Sequence, residues 1–83
     1  MNALSPALRS LAEQAQKLVV WVFRDGEGQW SLRREGDLNE HRFGCREDAV
    51  AFAHCLADAS SGYKLFIQLP SGRFITEYRG YYG

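Results

Sequence analysis

Four side chains of metal-binding or nucleophilic type lie close together in the chain: His41, Cys45, His54 and Cys55. Zinc sites need pairs such as C-x₂-C or H-x₃-H, which let one turn present two ligands to a tetrahedral ion. Neither spacing occurs among these four, so no metal and no cofactor is expected. Cys45 stands just before a helical stretch, and a thiol at a helix N-terminus is pushed toward the thiolate, the nucleophilic form. No general base is placed beside it by sequence, and nucleophilic catalysis needs one. The ordinary reading of Cys45 is a small, half-buried residue at a helix start, and the chain is not expected to be an enzyme. Gly26-x-Gly28 follows an apolar run, but a phosphate cradle needs a helix next. Strand-like alternation follows instead, so these are turn glycines.

A second constellation has more chemistry in it. Trp21, Phe23, Phe66, Phe74 and Tyr78 fall on one phase of their strands, with Arg33 and Lys64 among them. Aromatic rings stack on bases, and interleaved cations neutralise phosphates, so the set fits a single-stranded nucleic acid. The ordinary reading is that a first helix covers these residues and makes a second small core, since exposed patches of this size are uncommon in monomers. A third reading is contact with another protein or with a second copy. That contact would use this face or the stripe Leu4, Leu8, Leu11 and Ala15.

The elements that must position these residues centre on Glu47 to Ala59, EDAVAFAHCLADA. Projected at about 100° per residue, Ala49, Phe52, Ala53 and Leu56 share one side, while Glu47, His54 and Asp58 share the other. The stretch reads as an amphipathic helix on an apolar layer. Glu47 and Asp48 suit the positive end of its dipole. Cys45 is the N-cap, although serine or threonine would cap better. Ser60-Ser61-Gly62 ends it, with Gly62 expected in the left-handed conformation.

Ser5-Pro6 signals an earlier helix over about Pro6 to Gln16, with proline at its first position. Leu18 to Arg24 is β-branched and aromatic and reads as a strand that is apolar on both faces, so both are covered or one is an interface. Asp25-Gly26-Glu27-Gly28 turns the chain into Gln29 to Glu35, with Trp30 and Leu32 inward and Ser31 and Arg33 outward. Gly36-Asp37 reverses it again into a polar strand over Leu38 to Phe43. Tyr63 to Leu69 and Arg73 to Arg79 form a hairpin about Pro70-Ser71-Gly72. The expected fold is α+β, in the order α-β-β-β-α-β-β. About five antiparallel strands carry the central helix on one face, with an additional N-terminal helix.

The chain has 83 residues, enough for one small domain. Residues 1–17 read as a helical extension of it, and 80–83 as a glycine-bounded mobile tail. Ten Lys and Arg balance ten Asp and Glu, so no bulk field favours nucleic acid or an anionic membrane. No apolar run approaches the roughly 20 residues that span a bilayer. MNALSPALRSLAEQ lacks the pattern of a secretory signal, and the expected location is the cytoplasm. On one helix Cys45 and Cys55 would stand roughly 15 Å apart, too far for a disulfide, which suits a reducing compartment.

Three segments carry a family likeness: GEGQWSLRREG, with a tryptophan strand after a glycine turn; FGCREDAVAFAHCLA, with a phenylalanine leading into an acidic, alanine-rich helix; and LFIQLPSGRFITEYRGYYG, a hairpin ending near Tyr-Gly. From Trp21 onward the chain resembles the small bacterial family called domain of unknown function 2188. The family usually has serine or threonine where Cys45 stands, and often Asp-Gly where this chain has Pro70-Ser71-Gly72. The first helix looks like an addition. The resemblance implies the fold and no catalytic or ligand residue. The α-β-β-β-α order is also that of double-stranded-RNA-binding domains, but those start their last helix with lysines. Arg46-Glu47-Asp48 would repel phosphate there. The expected function is a non-enzymatic interaction module, protein-binding or homodimeric, with single-stranded nucleic acid as the alternative partner.

Overall fold

The computed structural model describes residues 17–80. The expected helix over Pro6 to Gln16, its stripe of Leu4, Leu8, Leu11 and Ala15, and the residues after Gly80 lie outside that range. The described elements are β1 (Leu18–Arg24), β2 (Trp30–Arg34), β3 (Glu40–Phe43), α1 (Arg46–Asp58), β4 (Tyr63–Gln68) and β5 (Phe74–Arg79).

Each hairpin closes through a glycine that takes a positive φ. In the first, Asp25 Oδ1 accepts the amides of Glu27 (2.9 Å) and Gln29 (3.0 Å), and Gly28 turns the chain at φ +83°. In the last, Leu69 N–H donates to the Arg73 carbonyl (2.7 Å) around Gly72 at φ +98°.

The strands lie in the order β3-β2-β1-β4-β5. The hairpin neighbours are antiparallel, as their short links require, but β1 and β4 are parallel. The sheet is therefore mixed, and the expectation of a wholly antiparallel sheet is corrected. The cause is α1. Three up-and-down strands leave β3 pointing the same way as β1, and the helix carries the chain back along the sheet. β4 then starts at the same end as β1 and docks beside it, the crossover that a parallel pair needs.

α1 crosses one face of this sheet. Its stripe Ala49, Ala53 and Ala57 packs on Leu18, Val20 and Val22 of β1, Leu32 of β2, and Leu65 and Ile67 of β4. The absent side-chain bulk lets the helix axis approach the strands closely, and spacing by four keeps the three alanines on one line. Cys45 is the N-cap, in extended conformation and with no side-chain cap bond, and Glu47 and Asp48 sit in the first turn.

Three helix expectations need correction. The helix does not end on a left-handed Gly62, whose φ is not positive. Ala59 caps it in the right-handed region, and Ser60 donates both its amide (3.1 Å) and its hydroxyl (2.7 Å) to the Ala57 carbonyl. Phe52 is not under the helix but 38% exposed at its margin, where it meets the rings of His41 and Phe43. His54 does not face water alone, because its Nε2 lies 2.9 Å from Glu77 Oε1 on β5. The sheet extends past the helix on both sides, so residues at the wheel's margins find partners on the outer strands.

Gly62 has a different task. A Cβ there would lie 2.6 Å from the Gly80 carbonyl oxygen, and Gly62 itself accepts the Leu18 amide at 2.9 Å. The start of β4 and the end of β5 meet backbone to backbone at this point.

Candidate functional site

Strand register decides which side chains share the face opposite α1. Trp21 pairs with Arg33 on β2 and with Phe66 on β4. Phe23 pairs with Ser31, Lys64 with Tyr78, Phe66 with Thr76 and Gln68 with Phe74. Directly paired residues point to the same side of a sheet, and alternation along each strand does the rest. Trp21, Phe23, Arg33, Lys64, Phe66, Phe74 and Tyr78 therefore all lie on that second face.

Its centre is a flat stack. The rings of Trp21 and Phe66 lie 5.7 Å apart with their planes 13° from parallel, within the range of favourable offset stacking. Trp21, Phe23, Lys64 and Phe66 are half-buried, and Arg33 is exposed. Toward β5 the face opens, with Phe74 50% and Tyr78 68% exposed. Among the described residues no helix or strand lies over this face. Beside Trp21 is an open hollow of about 450 Å³, lined also by Arg33, Arg34, Glu35, Asp37 and Leu38.

At the other end of the face is a polar cluster that sequence reading did not find. Ser31 was expected outward, and its side chain does take the outward phase, yet it is fully buried. Its hydroxyl donates to Asp25 Oδ2 at 3.5 Å. The Arg42 guanidinium reaches Asp25 Oδ2 at 3.6 Å and Glu27 Oε1 at 3.3 Å. The Gln29 amide holds the Asp25 carboxyl below its usual range, with help from the Glu27 amide, the Arg42 charge and the Ser31 hydroxyl, against partial desolvation. An aspartate opening a glycine turn was the one visible signal. Arg42 joins it only because β3 pairs Arg42 with Ser31.

The cluster also sets the electrostatics of the face. Arg42 is engaged by two carboxylates, and Arg33 stands opposite Glu40 in register. Arg33 and Arg42 thus stand beside carboxylates, which lowers the positive field of the face.

The four His and Cys side chains do not converge. His41 packs on Phe52, His54 pairs with Glu77, Cys45 caps α1, and Cys55 is a free, exposed thiol. Among the described residues no group of three or more His, Cys, Asp or Glu is placed to hold a metal ion. None of their helices is long and apolar enough to cross a membrane.

Trp30 belongs to the other face. Its ring lies beneath the Arg24 (5.7 Å) and Arg46 (6.0 Å) guanidinium groups, and Arg46 Nε donates to the Gln68 carbonyl at 2.9 Å. These contacts tie the start of α1 to the ends of β1 and β4 and give Trp30 a structural task.

No family model matches the chain, and neither a curated protein nor a solved structure matches it significantly.

Proposed function

We propose that this chain is a non-enzymatic interaction module that contacts protein, in its simplest form a second copy of itself, through the second face of the sheet. The observation that carries the reading is the aromatic row on that face: a Trp21–Phe66 stack at its centre, with Phe74 and Tyr78 widely exposed toward β5. Rigid aromatic side chains bring large contact area at small entropic cost and are enriched at protein interfaces. Matched charges around an apolar centre favour a protein, and in particular a self-complementary contact, over a polyanion. His54 pairs with Glu77, and His41 packs its ring on Phe52. Membership of the domain of unknown function 2188 family is part of this proposal and rests on the three segments quoted above.

Sedimentation velocity over the micromolar to submillimolar range tests it. The reading expects a dimer that Phe74→Asp or Tyr78→Asp weakens; both side chains are exposed, so neither change threatens the fold. A wild-type monomer at every concentration overturns it. Nucleic acid is the second reading, favoured by the same stack. It expects salt-dependent quenching of tryptophan fluorescence by random single-stranded DNA or RNA, and no quenching at low salt removes it.

A further inference from the structure

The two edges of the sheet are built differently. β3 has four residues, and Glu40, His41 and Arg42 on it are all exposed. A short, charged edge discourages pairing with another chain. β5 has six, FITEYR, rich in β-branched and aromatic types. Its two charged side chains do not guard it. Glu77 turns back onto His54 at 2.9 Å, and the Arg79 guanidinium lies over the Tyr63 ring at 5.3 Å. Among the described residues β5 has a strand on one side only.

The hydrogen-bond phase of that edge follows from the turn. Leu69 N–H donates to the Arg73 carbonyl, so Arg73 directs its backbone groups toward β4. Alternation makes Ile75, Glu77 and Arg79 do the same. The N–H and C=O groups of Phe74, Thr76 and Tyr78 therefore point away from the sheet, and the side chains of the same three residues lie on the second face.

We propose that β5 pairs antiparallel with β5 of a second copy, about a two-fold axis through Thr76, to make one continuous sheet across two chains. The inference rests on the reading above that the chain self-associates, and it adds an edge contact that extends the second face across both copies. In this register Thr76 faces the partner's Thr76, and Phe74 faces the partner's Tyr78. All three outward-pointing residues then exchange backbone hydrogen bonds with outward-pointing residues. Aromatic and threonine cross-strand pairs are favourable ones. The alternatives are worse. Centring on Glu77 sets two carboxylates opposite each other. Centring on Ile75 draws Gly72, a turn residue at φ +98°, into the ladder. A slip by one residue would put each strand's side chains on the wrong face. The axis stands perpendicular to the sheet, so both α1 helices lie on one side and the two aromatic faces merge on the other.

Cross-linking tests the register. In the full chain with Cys45→Ser and Cys55→Ser, Thr76→Cys places two thiols at the axis. Their Cα atoms would be about 5.5 Å apart, inside the roughly 4.4–6.8 Å that a disulfide allows. Tyr78→Cys in the same background places its thiols on Cα atoms roughly 14 Å apart, four strand residues along and one strand across. With oxidised glutathione, Thr76→Cys is expected to form covalent dimer at least ten-fold faster than Tyr78→Cys. Mixed Phe74→Cys and Tyr78→Cys chains are expected to cross-link to each other faster than either does alone. Equal, slow cross-linking of all variants overturns the β5 contact. If the wild type is still a dimer that Phe74→Asp weakens, the face reading survives that failure; a monomeric wild type ends both.

Discussion

Gly62→Ala is the sharpest test of the fold that carries this face. The added methyl would sit 2.6 Å from the Gly80 carbonyl oxygen, 3.0 Å from the Gly80 carbonyl carbon and 3.0 Å from the Lys17 side chain. The lysine stem can move aside; the Gly80 backbone cannot do so without cost. Gly80 holds φ +60°, and Gly62 is pinned by the Leu18 amide on its carbonyl at 2.9 Å. Relieving the overlap means separating β4 from β5 or β4 from β1 at this corner. Overpacking of this kind costs about 1–3 kcal/mol. For a domain of this size each kcal/mol lowers the melting temperature by roughly 4–8 °C, so the expected loss is on the order of 4–24 °C. Gly26→Ala is the control. Nothing lies within 4 Å of its Cβ position and its φ is not positive, so it is expected to be neutral or stabilising by about 0.4–1 kcal/mol. Thermal unfolding followed by circular dichroism reads both. A Gly62→Ala protein that melts with the wild type would refute the backbone-to-backbone contact between β4 and β5.

Further changes probe the core, the cluster and the helix seat. Leu65→Ala, at a fully buried site, is expected to cost about 2–5 kcal/mol in urea unfolding. Leu38→Ala, 89% exposed, should stay within about 0.5 kcal/mol. Asp25 has a lowered pKa when folded, so its share of stability is present above the unfolded carboxylate value and disappears as pH falls through the folded one. Wild-type melting temperature should therefore decline on acidification through that window more steeply than that of Asp25→Asn; parallel acid limbs would refute the cluster. Ala53→Leu inserts bulk where α1 meets the sheet and is expected to destabilise by about 1–3 kcal/mol, with a rise in Trp30 exposure measured by acrylamide quenching.

Much of the frame was legible because it is local. The turn glycines, the alternation of Tyr63 to Leu69 and the spacing of the alanines are all readable within a few residues. The phases of β1, β2, β4 and β5 follow from that alternation, and they place Trp21, Phe66 and Tyr78 on one face. What was not legible depends on residues far apart in sequence. The parallel β1–β4 pair exists only because α1 returns the chain. Arg42 reaches Asp25 only because β3 pairs it beside Ser31. Gly62 looks like a helix-end residue until β5 delivers Gly80 against it. His54 looks solvent-facing until the sheet is seen to reach past the helix to Glu77.

Self-association through the second face is read most simply from the sedimentation mass of the wild type beside that of Tyr78→Asp. A dimer is expected for the first. For the second, association is expected to be weakened about ten-fold or more, the loss expected when an aromatic contact is removed from an interface. A monomeric wild type, or a dimer of unchanged strength after the substitution, would contradict it.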